Sequence, residues 1–201
     1  MMNSDLSRRH VMAGTASIAL IAAAPQAFAL SAGQAQQLIS QAVGEINRAI
    51  NSGKSGNSLY RTFEGIFRKY ADVPTIARSA LGPPARSASR KQLTEFTNAF
   101  AGYMSRKYGK RFRDFAGGQV EVTGSRAVKQ FQEVSAVARI PGRSPFAVNF
   151  MVSDRSGSSK FFDLLIEGIS LLKSERAEIG AMLDKRRGDI DALIGDLQRA
   201  G

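Results

Sequence analysis

Apolar residues recur at helical spacing through the first half of the chain, alternate through its middle, and return to helical spacing at its end. Between residues 31 and 52, Leu38, Val43, Ile46 and Ile50 fall near one stripe that Ser52-Gly53 closes, which predicts a helix. A polar turn over 54–57 follows. Ser58 is then placed to cap a second helix through about Tyr70, with Leu59, Phe63, Ile66, Phe67 and Tyr70 on one face. Asp72 caps a short third helix carrying Pro74, Ile76, Ala77 and Leu81, and Gly82-Pro83-Pro84 breaks it. Ser89 opens a long helix to about Phe115. Its apolar side carries Leu93, Phe96, Ala99, Phe100, Tyr103, Met104, Tyr108 and Phe112; its other side carries Arg90, Lys91, Arg106, Lys107, Lys110, Arg111 and Arg113.

After Gly117-Gly118 the period changes to two. Val120 and Val122 alternate with Glu121 and Thr123 over 119–125. Val134, Ala136, Ala138 and Ile140 share a face over 130–140, and Phe146, Val148, Phe150 and Val152 share one over 145–154. A fourth strand is read over 158–166. Four strands at hairpin spacing predict an antiparallel sheet. Helices return over 174–187, with Ile179, Met182 and Leu183 inward, and over 189–199, with Ile190, Leu193, Ile194 and Leu197. Helices, then sheet, then helices is an α+β order.

The N-terminus has a different grammar. Ser7-Arg8-Arg9 is charged, Val11–Ala24 is an uncharged alanine-rich run, and Ala27-Phe28-Ala29 places small residues where a signal peptidase cleaves. The run is shorter than the ~20 residues a spanning helix needs. Residues 1–29 are therefore read as a cleaved signal peptide and 30–201 as one domain, exported to the periplasm. The arginine pair fits a twin-arginine signal only in part, so that route and the general secretory route both stand.

Removal of the signal changes the chemistry. The one histidine, His10, leaves with it, and the chain has no cysteine. That excludes Ser-His-Asp and Cys-His catalysis, zinc sites of the Cys/His kind, and disulfides. Losing Arg8, Arg9 and Asp5 from 28 basic and 17 acidic side chains leaves 26 and 16, a net +10. Such an excess favours an acidic partner; for an exported protein that means lipid head groups or acidic protein surfaces rather than nucleic acid. The 12 Phe and absent Trp fit either a phenylalanine-rich core or an apolar pocket between the sheet and the long helix. Asp163 and Glu167, four apart, are the one carboxylate pair plausible for a hydrolase, and a structural role suits them better.

The segments FEGIFRKYADVPTIAR at 63–78, Leu81-Gly82, Ala88-Ser89-Arg90-Lys91-Gln92, KFFDLLIEGISLL at 160–172, Arg176 and Gly188–Ile194 resemble the MlaC family, also called the toluene-tolerance auxiliary family. The likeness spans nearly all of the chain after residue 29, and Asp163-x-x-x-Glu167-Gly168-Ile169-Ser170-Leu171 is its most specific piece. Where the family usually has an aromatic residue after Leu-Gly-x-x, this chain has Ala85, and the Trp common before Phe-Phe-Asp is also missing.

The resemblance implies a curled sheet packed against helices around a deep apolar cavity. It implies a periplasmic phospholipid carrier, not an enzyme, with no cofactor beyond the bound phospholipid. The implied partners are an inner-membrane ABC transporter with its membrane-anchored lipid-binding ring and an outer-membrane lipoprotein complex; the carrier itself is expected as a monomer. The expected lipid-lining residues are Phe96, Phe100 and Tyr103 on the long helix, Phe146, Val148 and Phe150 on the third strand, and Phe162, Leu164 and Ile166 on the fourth, with Ile169 and Leu172 closing one end. A periplasmic adaptor that binds an acidic protein surface, without a lipid, is the alternative.

Overall fold

A computed structural model describes residues 30–112 and 115–201. The expected signal peptide, and the stretch of the long helix at Arg113, lie outside the described residues. Among the described residues six α-helices and five strands follow in the order α1 (Ala32–Ile50), α2 (Gly56–Tyr70), α3 (Val73–Leu81), α4 (Arg90–Phe112), β1 (Gln119–Val128), β2 (Phe131–Arg139), β3 (Phe146–Ser153), β4 (Lys160–Ile166), β5 (Ile169–Ser170), α5 (Leu171–Lys185) and α6 (Ile190–Arg199).

The caps explain the helix starts. Ser31 and Gln34 form a capping box on α1. Asp72 accepts from the Thr75 amide at 3.2 Å, with Pro74 in the first turn of α3. Helix α2 begins at Gly56, two residues before the expected Ser58, and Ser55 makes no side-chain cap.

The sheet is antiparallel in the order β1-β2-β3-β4-β5. It has five strands where four are expected, and it is open and uncurled where a curled sheet is expected. The fifth strand comes from a two-residue turn. Glu167 and Gly168 both take positive φ, 50° and 78°, which closes a tight hairpin pairing Ile166 with Ile169. Two residues of β5 cannot carry the sheet round, and β1 and β5 remain separate edges. Ser170 then accepts from the Lys173 amide at 3.1 Å, so α5 starts at Leu171, three residues before the expected start.

Three apolar clusters build the interior. One is wholly helical, from α3, α4, α5 and α6, with Phe96, Phe100, Ile179, Leu193 and Leu197 fully buried. A second joins α1 to the sheet through Ile39, Val43, Val134, Ala136, Phe150 and Val152. The third joins α1 to α2 through Leu59, Phe63, Ile66 and Tyr70. Phe161 packs against all three.

Phe96 and Phe100 stack in the helical cluster with ring centroids 5.9 Å apart. Truncating Phe96 to Ala should therefore cost about 3–5 kcal/mol of stability, measured by urea denaturation. Asp72→Ala should cost about 1 kcal/mol through the lost cap. A Phe96→Ala loss no larger than the Asp72→Ala loss would contradict this placement.

Candidate functional site

Helix α4 packs mainly on α2 and α6, while α1 covers the β1–β2 part of the sheet. Between the second half of α4 and the β2–β4 part of the sheet lies an apolar pocket of about 690 Å³. That size falls within the ~300–1,000 Å³ range of small-molecule sites. Helix α1 contributes Ala42, Val43, Ile46 and Ile50, and α2 contributes Phe63, Ile66 and Phe67. Helix α4 contributes Met104, Ser105, Tyr108, Gly109 and Arg111. The sheet face is Val120, Ala138, Val148, Phe150, Phe161, Leu164 and Ile166, flanked by Ile140, Phe146 and Leu171.

Gly109 sets the joint between two walls. A Cβ there would lie 2.5 Å from the Tyr60 ring, so a side chain at this position would displace that ring from its seat on α4.

Of the expected lining residues, Phe146, Val148, Phe150, Leu164 and Ile166 border this pocket. Phe96, Phe100 and Tyr103 lie in the helical cluster, and Leu172 packs against it. Phe162 and Ile169 border a second groove, on the opposite face of the sheet, with Phe131, Met151 and Leu165. The reason for Phe162 is a β-bulge. Met151 pairs with Asp163 and Val152 with Phe161, so Phe162 is left over between them. The extra residue reverses the alternation. Phe161 and Leu164, three apart, face the pocket, while Phe162 packs on Phe131 with centroids 4.8 Å apart.

The stripes on α1 and α2 are visible in the sequence as amphipathic faces. What periodicity cannot separate is a face packed solid from one that borders a void.

The carboxylate pair has structural partners. Asp163 accepts from the amides of Leu164 at 2.8 Å and Leu172 at 3.0 Å, and from the Ser170 hydroxyl at 2.6 Å. These bonds pin the corner from β5 into α5. Glu167 accepts from the Ala147 amide. The most specific motif of the chain thus folds a corner, and its carboxylates hold backbone. Among the described residues no group of three or more His, Cys, Asp or Glu side chains is placed to hold a metal ion.

A charged network braces the wall behind Tyr108. Glu175, 1% exposed, accepts from Lys107 at 2.8 Å and from the Tyr108 hydroxyl. Glu178 accepts from Lys107 and from the Tyr103 hydroxyl, each at 2.5 Å. Burial and the bond to Glu178 push Tyr103 up to about 12. Burial opposes the Lys107 charge, yet its bonds to Glu175, Glu178 and Tyr103 outweigh that and raise its pKa above the usual lysine value. Burial likewise works against ionised Glu178, and bonds from Lys107 and Tyr103 overcome it and hold it below the usual carboxylate range. Among the described residues the second Glu175 oxygen has no partner.

The family profile described as "MlaC protein" matches residues 36–199. Among solved structures, the phospholipid-binding protein from Ralstonia solanacearum, determined in complex with a phospholipid, superposes with a TM-score of 0.70 at 19% identity; the match covers 82% of this chain and 95% of that one. No curated protein matches the chain significantly.

Two outcomes test the braced wall. Lys107→Met strands a buried carboxylate and should cost about 3–5 kcal/mol in urea denaturation, with Glu175→Gln added in the same protein restoring much of the loss. Glu178, held low, contributes stability above about pH 4.5 that fades as pH falls through its folded value; Lys107, held high, contributes below about pH 10.5 and is lost as pH rises through its folded value. Glu178→Gln should accordingly flatten the acid limb of a stability-versus-pH curve. An unchanged acid limb would contradict it.

Proposed function

The chain belongs to the MlaC family, and on that footing we propose that it is a soluble periplasmic carrier that holds phospholipid acyl chains in the pocket between α4 and the sheet. The observation that carries the reading is the pocket itself: about 690 Å³, walled by aliphatic and aromatic side chains from four helices and four strands. The likeness in fold to a protein solved with a phospholipid supports it. Phe146, Val148, Phe150, Leu164 and Ile166 touch the acyl chains, and Phe161, Ile66 and Val43 join them. Among the described residues no helix is long and apolar enough to cross a membrane.

No covalent chemistry is needed. Each buried CH₂ contributes ~0.8 kcal/mol, so acyl chains alone supply the driving force, while the head group stays at the solvent-facing rim. Exchange with another apolar site is then nearly neutral, and direction comes from the partner. The proposed partners are an inner-membrane ABC transporter with its membrane-anchored lipid-binding ring and an outer-membrane lipoprotein complex. The carrier works as a monomer of residues 30–201, after a signal peptide at 1–29 has been removed.

The test is to purify the processed protein from cells, extract it with organic solvent and identify lipids by mass spectrometry. Phospholipid at near one per protein is expected. Phe150→Trp and Leu164→Trp should each lower that occupancy severalfold at little cost to thermal stability. A protein that carries no lipid and takes none up from phospholipid vesicles would leave the adaptor for an acidic protein surface as the better reading.

A further inference from the structure

Among the described residues three charged side chains border the pocket, and all three are arginines: Arg111 in the last turn of α4, Arg139 at the end of β2, and Arg143 in the turn before β3. Among the described residues no carboxylate borders it. All three arginines are exposed, whereas Val43, Phe63 and Phe150 within the pocket are buried. The arginines therefore stand at the rim. The loop after α4 packs onto the end of β2: a Cβ on Gly118 would meet the Arg139 carbonyl at 3.0 Å, and one on Gly117 would meet Pro141 at 3.5 Å. Three elements thus bring cationic side chains to one edge of an apolar hole.

These guanidinium groups have little else to bind. Arg68, Arg126 and Arg186 hold carboxylates at 2.8, 3.0 and 2.6 Å. Arg139 meets Glu121 at 3.9 Å, with both side chains more than half exposed, a distance and exposure at which an ion pair contributes little. Arg111 lies over the Tyr108 ring at 5.7 Å. Among the described residues the Arg143 side chain has no hydrogen-bond or ion-pair partner.

We infer that Arg111, Arg139 and Arg143 form an anion site at the pocket rim that binds the phosphate of the lipid whose chains fill the pocket. The inference rests on the carrier reading and adds a selection rule to it. Aliphatic walls take any acyl chain and cannot tell a phospholipid from a diacylglycerol. A guanidinium fork matches phosphate oxygens two at a time and keeps its charge at every accessible pH. The pocket thus selects for hydrophobicity, and the rim for a phosphate at the end of the chains.

The probes are a short-chain phosphatidylglycerol and the diacylglycerol of the same acyl length, titrated into delipidated protein. Among the described residues Arg111 and Arg143 are exposed and neither side chain hydrogen-bonds or ion-pairs with a carboxylate, so folding is expected to hold in Arg143→Gln and in the double variant R111Q/R143Q; thermal denaturation checks it. The wild type should bind the phospholipid at least about tenfold tighter than the diacylglycerol. The ratio should fall stepwise toward one in the two variants and with added salt, with diacylglycerol affinity unchanged. A ratio near one in the wild type, or a ratio the variants leave intact, overturns the phosphate site while the carrier reading stands. A wild type that binds neither lipid overturns both. Inorganic phosphate should compete with the phospholipid and not with the diacylglycerol; phosphate that binds without weakening phospholipid binding would assign the arginines to a free anion and overturn the head-group assignment.

Discussion

Phe161 is the residue on which the three interior clusters and the pocket all converge. It packs against the helical cluster, the α1–sheet cluster and the α1–α2 cluster, and its ring meets Phe150 edge-on at 5.7 Å and Phe67 at 6.3 Å. Its backbone does as much. The Phe161 carbonyl accepts from the Asp72 amide at 2.8 Å, which ties β4 to the start of α3. The bulge at its C-terminal side turns this ring inward and its neighbour Phe162 outward. Without the bulge, Leu164 and Ile166 would share their face with Phe162, and the junction of three clusters would lose its central ring.

The pocket follows from how the layers share their partners. Helix α4 buries its apolar face against other helices, where Phe96 and Phe100 are fully enclosed. It has no comparable contact with the sheet. The sheet is covered by α1 over part of its inner face, and the rest looks across at Tyr108 and Met104 without touching a filled layer. A void of that size is normally a stability cost, because its lining loses packing partners. The network of Lys107, Glu175 and Glu178 braces one wall, and the close approach of Tyr60 to Gly109 fixes another. A hole held open by bracing on two sides is what a container needs.

Much of the architecture is written in the sequence. The six α-helices, their order and most of their starts follow from periodicity and from caps such as Asp72 and Ser89. Four strands are legible from alternation. The fifth is not, because two residues carry no period; only the positive-φ pair Glu167-Gly168 marks it. The lining of the candidate pocket is legible only in part. Phe146, Val148, Phe150, Leu164 and Ile166 border the pocket because strict alternation holds along β3 and the end of β4. Phe161 is not legible in this way, because a bulge leaves no mark in an alternating pattern. Phe96 and Phe100 look like lining residues in sequence, since a helix face packed on helices and one facing a void have the same period. The most specific piece of the family resemblance, Asp163–Leu171, contains Asp163 and Glu167, whose bonds to backbone shape a corner rather than a site.

The claim that acyl chains occupy the space between α4 and the inner sheet face is most directly tested with adjacent leucines. Leu164 borders the pocket, and Leu165 borders the groove on the other face. Methyl-labelled protein loaded with phospholipid should show nuclear Overhauser contacts from Leu164 methyls to acyl methylenes, and none from Leu165. Contacts to Leu165 without contacts to Leu164 would place the lipid on the opposite face and contradict the account.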